Sequence, residues 1–253
     1  MKKTLSLAVV VTALIFIAKP ATAQTVIAGT SFELATSVDM VQYTDTGNPA
    51  VNHALANNAG QPQLNFVASG GEIGYTSYYW NTRNDVGLTD GDWVGPTTYT
   101  GDVVSWPDGV QGIQISDADG KMTITMDTLD ISGVTDPKLS LEWFLNDGGW
   151  EVEDVVRIWV TVEPGSTEID ILNTAGFDID DMAIVGDWWF SQVDLTGFTS
   201  VTLAFENDSN SSYESLFVDN VQLTGVGTVV DDIFLDGFES GSTTQWSSTV
   251  GGP

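Results

Sequence analysis

Val155-Val156-Arg157-Ile158-Trp159-Val160-Thr161-Val162 puts Val156, Ile158, Val160 and Val162 on one face and Val155, Arg157, Trp159 and Thr161 on the other. Apolar residues at every second position, rich in β-branched side chains, read as a strand with one buried face. The same period extends outward in both directions. Met122, Ile124 and Met126 alternate with Thr123, Thr125 and Asp127; Leu139, Leu141, Trp143 and Leu145 share a face; Val201, Leu203 and Phe205 alternate with Thr202, Ala204 and Glu206. Between these runs lie turn formers: Asp108-Gly109, Asp119-Gly120, Asp147-Gly148-Gly149, Glu163-Pro164-Gly165 and the polar run 207–212. The strongest helical candidate, Pro49 to Asn58, supports one or two turns. About ten short strands with turns between them predict an all-β chain, an antiparallel two-sheet jelly-roll sandwich.

Ser215–Thr224 breaks the period. Leu216 and Val218 fall on one face, whereas Val221 and Leu223 fall on the other with Phe217 and Asp219. Either the strand bulges at Asp219-Asn220, or Asp219 points into the core. An inward carboxylate requires a partner, because an unpaired buried charge is costly.

The chain of 253 residues carries 35 acids, seven Lys plus Arg, one His and no Cys, a formal charge of −28. Residues 1–23 read as a secretory signal peptide: Lys2-Lys3, an apolar stretch from Leu5 to Ala18, and the small-x-small site Ala21-Thr22-Ala23. That stretch is shorter than the ~20 residues a membrane-spanning helix needs. The reading implies export through the Sec pathway of a bacterium to the medium, cell surface or periplasm, leaving Arg83, Lys121, Lys138 and Arg157 as the cations of the mature chain. So few cations exclude a nucleic-acid footprint or an anionic membrane surface as partner. The lack of cysteine excludes disulfides, thiol catalysis and cysteine metal sites. The sandwich spans residues 24–226, and a Ser/Thr/Gly-rich tail spans 227–253.

Leu216-Phe217-Val218-Asp219-Asn220-Val221-Gln222-Leu223-Thr224 resembles the closing strand of bacterial jelly-roll domains, including galactose-binding-like, carbohydrate-binding and MAM-like sandwiches. Gly29-Thr30-Ser31-Phe32-Glu33 resembles their opening strand. The resemblance implies that first and last strands lie side by side and that Glu33 and Asp219 help hold a structural calcium. The motifs at 43–47, 53–58, 87–92 and 116–121 resemble a domain of large secreted bacterial proteins that has no assigned activity. Ile233-Phe234-Leu235-Asp236-Gly237-Phe238-Glu239-Ser240-Gly241 resembles a C-terminal element of exported bacterial proteins.

Calcium takes six to eight oxygen ligands, and this chain offers acids on turns: Asp90 and Asp92 around Gly91, Asp117 and Asp119 before Gly120, Asp178 with Asp180 and Asp181, and Glu151 with Glu153 and Asp154. None has EF-hand spacing. Each is also ordinary Asp-rich turn chemistry. The nine Trp, six Tyr and eleven Phe supply sugar-stacking candidates, Tyr79, Trp80, Trp93, Trp106, Trp150 and Trp188, set against their use as core filling. His53 lacks a nucleophile elbow to serve and reads as hydrogen-bonded at the end of a short helix. Glu142 and Glu206 are the carboxylates a glycosidase could use. The expectation is a non-catalytic, calcium-stabilised recognition or adhesion protein with a glycan ligand. A structural surface protein without a small ligand and a hydrolase of neutral polysaccharide are the alternatives.

Overall fold

The computed structural model describes residues 24–39 and 42–226. The leader and the tail element lie outside these residues. Thirteen strands form: β1 (Thr25–Thr30), β2 (His53–Ala54), β3 (Tyr75–Trp80), β4 (Val94–Thr97), β5 (Gly112–Ile115), β6 (Gly120–Met126), β7 (Leu129–Asp130), β8 (Thr135–Leu145), β9 (Val155–Glu163), β10 (Thr167–Asn173), β11 (Trp188–Asp194), β12 (Ser200–Ser209) and β13 (Leu216–Val226). A single short 3-10 helix, Ile179–Met182, is the helical element among the described residues. One sheet runs β11-β8-β13-β5-β4 with β1 also on β13, and the other runs β10-β9-β12-β6-β3-β2 with β7 on β12. All paired strands are antiparallel. The chain is an all-β jelly-roll sandwich of two antiparallel sheets.

The alternating faces meet between the sheets. Val156, Ile158, Val160 and Val162 are fully buried, with Leu203 opposite Val160 and Phe205 opposite Ile158 across the β9–β12 pair. Leu139, Leu141, Trp143 and Leu145 face them from β8. Each such side chain contributes about 1.5–3 kcal/mol on leaving water, which is how a chain with no disulfide holds its sheets together.

The period break in β13 is a bulge. The β13–β8 register slips between Asp219 and Gln222, and Asn220 adopts φ 49°. Asn tolerates this left-handed backbone better than most residues. Before the bulge Leu216 and Val218 face the core; after it Val221 and Leu223 do. Phe217 and Asp219 therefore point away from the core, to the outer face of the six-stranded sheet. Glu142, two residues from Phe144 on β8, shares that face, and its Oε2 accepts from Asn220 Nδ2 at 2.9 Å.

Two expectations change. Pro49–Asn58 is not helical: it turns and then pairs as β2, with His53 opposite Tyr79. Side chains replace helical partners at two carbonyls of this segment, as Tyr43 Oη donates to the Ala56 carbonyl and Asn65 Nδ2 to the Leu55 carbonyl. The opening strand ends at Thr30, because Phe32 takes φ 62° and buries its ring, leaving Glu33 on a turn. The first and last strands do lie side by side, with Thr30 opposite Val221.

Replacing Phe205 by Ala is expected to lower the unfolding free energy by about 3–5 kcal/mol, and Val67→Ala, at an exposed position, by less than about 0.5. Urea denaturation of both variants checks this.

Candidate functional site

Asp219 is fully buried, but beneath a loop rather than between the sheets. Its Oδ2 accepts the Asp108 N–H at 2.9 Å and its Oδ1 the Asn220 N–H at 2.6 Å. Glu33 Oε1 accepts the N–H groups of Val110 and Gln111 at 2.8 and 3.0 Å. The two acids that the resemblance pairs thus clamp one loop, residues 108–111, from two sides. Burial pushes the Asp219 carboxyl up to about 7, against the pull of the two N–H donors. The rest of this loop lies over the outer face of the six-stranded sheet. There Val103 and Trp106 pack with Phe144, Phe217 and Trp188 in a second small core. Gly112 makes room for it: a Cβ there would sit 2.3 Å from the Trp106 ring.

The turns that carry Asp90/Asp92 and Asp117/Asp119, separate in sequence, come together, and Asp119 rather than Asp117 joins the first pair. Ligand oxygens of Asp90, Asp92 and Asp119 lie within 4.8 Å of one another. Leu88, fully buried, anchors the first loop, and the Asp45 N–H donates to the Leu88 carbonyl. Gly91 at φ 104° lets the chain reverse between the two acids. Asp92 then pairs with Tyr43 through two backbone bonds of 2.8 Å. The second loop joins β5 to β6, with Asp117 and Asp119 in left-handed backbone at φ 55° and 46°. Asp92 is wholly buried, and neither carboxylate oxygen has a hydrogen-bond partner. Burial, with Asp90, Asp117 and Asp119 adding repulsion, pushes its carboxyl up to about 9; burial, with Asp117 and Asp90 adding repulsion against the pull of Arg83, raises Asp119 to about 6.

The other acidic groups have partners. Glu151, Asp154 and Glu214 converge, but Arg83 Nη2 binds Asp154 Oδ1 at 2.6 Å and its Nε binds Asp208 at 2.8 Å. Asp178 caps the 3-10 helix by accepting the Asp180 N–H. His53 Nε2 lies 2.7 Å from Asp45 Oδ2 and Nδ1 the same distance from the Val51 carbonyl. Burial disfavours its charge, yet these two acceptors outweigh burial and raise its pKa. Both partners lie in the irregular segment before β2, in place of the expected helix.

The six aromatic candidates divide. Tyr79 is fully buried on the core face of β3. Trp106 lies under the outer loop, and Trp150 packs in the core with Nε1 on the Asn146 carbonyl. As buried rings these three offer no stacking face. Strand alternation is the physical reason for the first: adjacent Tyr79 and Trp80 cannot share a face, so Tyr78 joins Trp80 outside, with ring centroids 4.7 Å apart. Trp80 Nε1 donates to Thr123, and Lys121 Nζ lies 5.3 Å from its ring. Trp188 is half-buried against Trp106 and Phe144, Nε1 on the Ser105 carbonyl.

Trp93 lines a cleft of about 170 Å³ with Tyr99, Asp102, Gln114, Ser212 and Tyr213. Tyr213 is 71% exposed. Burial raises the Asp102 carboxyl, and burial together with Asp102 raises the Tyr99 hydroxyl. Asp102, Gln114 and Tyr213 are not among the residues that the sequence singles out. Gln114 lies inside a strand, where its outward direction depends on register, but Tyr213 was visible as the lone aromatic ending a polar turn run.

Glu142 and Glu206 do not form a catalytic pair. Glu206 faces outward from the seven-stranded sheet, beside Thr123 and Lys121, whereas Glu142 faces outward from the other sheet. The sandwich core separates them, so they cannot flank one glycosidic bond.

These features define the class: a two-sheet β-sandwich with an acidic loop end and an aromatic–polar cleft beside it. No protein-family model and no curated protein matches the chain. Among solved structures it is similar to the module TmCBM61 in complex with β-1,4-galactotriose, at 10% identity over 52% of this chain and 81% of that one, TM-score 0.35. It is similar to the K2 cleaved adhesin domain of Lys-gingipain, at 14% identity over 79% and 99% of the two chains, TM-score 0.37. It is also similar to the xylan-binding module CBM15, at 11% identity over 72% and 99%, TM-score 0.36.

Burial raises Glu214 to about 7, as it does Asp219, above the ordinary carboxylate range. Such a group keeps its proton in the folded chain while the unfolded chain loses it, so stability falls as pH rises from about 4 to about 7. His53, with its raised pKa, acts in the same direction. In chelator-containing buffer the melting temperature is expected to rise as pH is lowered from 8 to 5, and Glu214→Gln to flatten part of that rise. A melting temperature that falls over this interval contradicts the assignment.

Proposed function

We propose that the chain is a secreted, non-catalytic recognition or adhesion domain that binds a neutral glycan in the cleft formed by Trp93, Tyr99, Asp102, Gln114, Ser212 and Tyr213. The observation that carries this reading is the composition of the cleft. Three aromatic rings, Trp93, Tyr99 and Tyr213, stand beside carboxylate, amide and hydroxyl groups. A pyranose ring presents apolar C–H faces to aromatic rings and hydroxyls to polar groups, so it needs both kinds of wall. The cleft is smaller than the ~300–1,000 Å³ of pockets that enclose drug-sized ligands, which favours one sugar ring or the end of a chain.

Electrostatics supports a neutral ligand. A formal charge of −28 and Asp102 in the cleft disfavour an acidic polysaccharide. The separation of Glu142 and Glu206 removes the carboxylate pair that a hydrolase reading had at hand. The Lys2-Lys3 start, apolar run and Ala21-Thr22-Ala23 site support export.

A neutral-oligosaccharide array, run on the full chain and on Trp93→Ala and Tyr213→Ala, tests the reading. Both variants are expected to lose about tenfold or more in affinity, since an aromatic anchor in a small site carries ~1.4 kcal/mol or more. Trp159→Ala, on the outer face of the other sheet, is expected to leave affinity unchanged. Binding that is absent for every neutral glycan, or unaffected by both cleft variants, overturns the proposal.

A further inference from the structure

Six acids are buried among the described residues: Asp45, Asp92, Asp154, Glu206, Glu214 and Asp219. Five have a donor. Asp45 has His53, Asp154 has Arg83, Glu206 has Thr123 and Lys121, Glu214 has the Asn210 N–H, and Asp219 has two backbone N–H groups. Asp92 has none on either oxygen. What it faces instead is Asp90 and Asp119, within 4.8 Å, with Asp117 close enough to add repulsion. A buried carboxylate with no donor is costly, and like charges around it raise the cost. No side chain of this cluster offers the positive charge that would relieve it.

We propose that Asp90, Asp92 and Asp119 ligate a divalent cation of the calcium type, held between the loop before β4 and the β5–β6 connection. The donor set is all oxygen, with no nitrogen or sulfur, which selects a hard cation. Two turns rich in carbonyls can complete six to eight oxygens with water, a looser shell than magnesium accepts. Asp90 is exposed and gives the ion its entry. The site is separate from Glu33 and Asp219, whose bonded oxygens are engaged by loop amides.

The cation does more than neutralise charge. Trp93 follows Asp92 directly, and its carbonyl accepts the Ser116 N–H at 3.1 Å, next to Asp117. A cation joining the two loops would hold the segment that presents Trp93 to the cleft. The cation site itself stands whether or not the cleft takes a glycan.

The test uses calcium chloride alone on the full chain, read by calorimetric titration, thermal melting and amide hydrogen exchange. One calcium per chain is expected at this site, with a rise in melting temperature of roughly 5–10 °C at calcium a hundredfold above its Kd. Protection is expected to increase in residues 88–94 and 116–120. Asp92→Asn is expected to melt higher than the parent chain in EDTA, because an ionisable group no longer has to be buried beside other acids, and to lose both the calcium-dependent rise and the protection. Asp219→Asn is expected to keep both. A calcium response that survives Asp92→Asn, or a parent chain that shows none, overturns the proposal.

Discussion

The bulge at Asp219-Asn220 is the constraint on which the rest of the molecule depends. β13 pairs with β8, β5 and β1, and so lies at the centre of its sheet. A strand with strict alternation could bury Leu216 and Val218, or Val221 and Leu223, but not both pairs. One residue at φ 49° resets the phase, and both pairs reach the core. The same reset leaves Asp219 on the outer face, where it binds the Asp108 N–H and holds the loop that lays Trp106 over Phe217. Core packing, loop position and the wall of the cleft thus share one local irregularity.

The charge of the chain acquires different meanings at different places. Acids such as Glu163, Asp130 and Asp194 close exposed turns by accepting neighbouring backbone N–H groups. Glu33 and Asp219 are structural acceptors for a loop. Asp154 and Asp208 share Arg83, so one of the few cations ties β12 to the turn before β9. Asp92 belongs to none of these groups. It is buried beside other acids with no hydrogen-bond donor on either oxygen, next to an aromatic cleft.

Much of the architecture was legible as period-2 alternation. The faces read from Met122–Met126, Leu139–Leu145, Val156–Val162 and Val201–Phe205 are the faces that meet in the core, because alternation is a property of the strand itself. The Ala and Leu content of 49–58 favours a helix, but the segment turns instead, because Asn57, Asn58 and Asn65 form bonds with backbone groups brought near by folding. The aromatic candidates were half legible. Trp80 and Trp93 reach the surface, whereas Tyr79, Trp106 and Trp150 do not, because the register, the outer loop and the sheet spacing decide which ring is covered.

From the sequence alone followed the all-β class, the phase break at Asp219, the scarcity of cations and the acidic turns. Each depends on neighbours along the chain, where geometry is set by the backbone period and turn chemistry. Only the tertiary structure decided that Asp219 and Glu33 grip one loop, that Asp90 and Asp92 meet Asp119, and that Trp93 meets Tyr213. These are meetings of residues from different turns. Pairing register sets their distances, and burial sets their charge states.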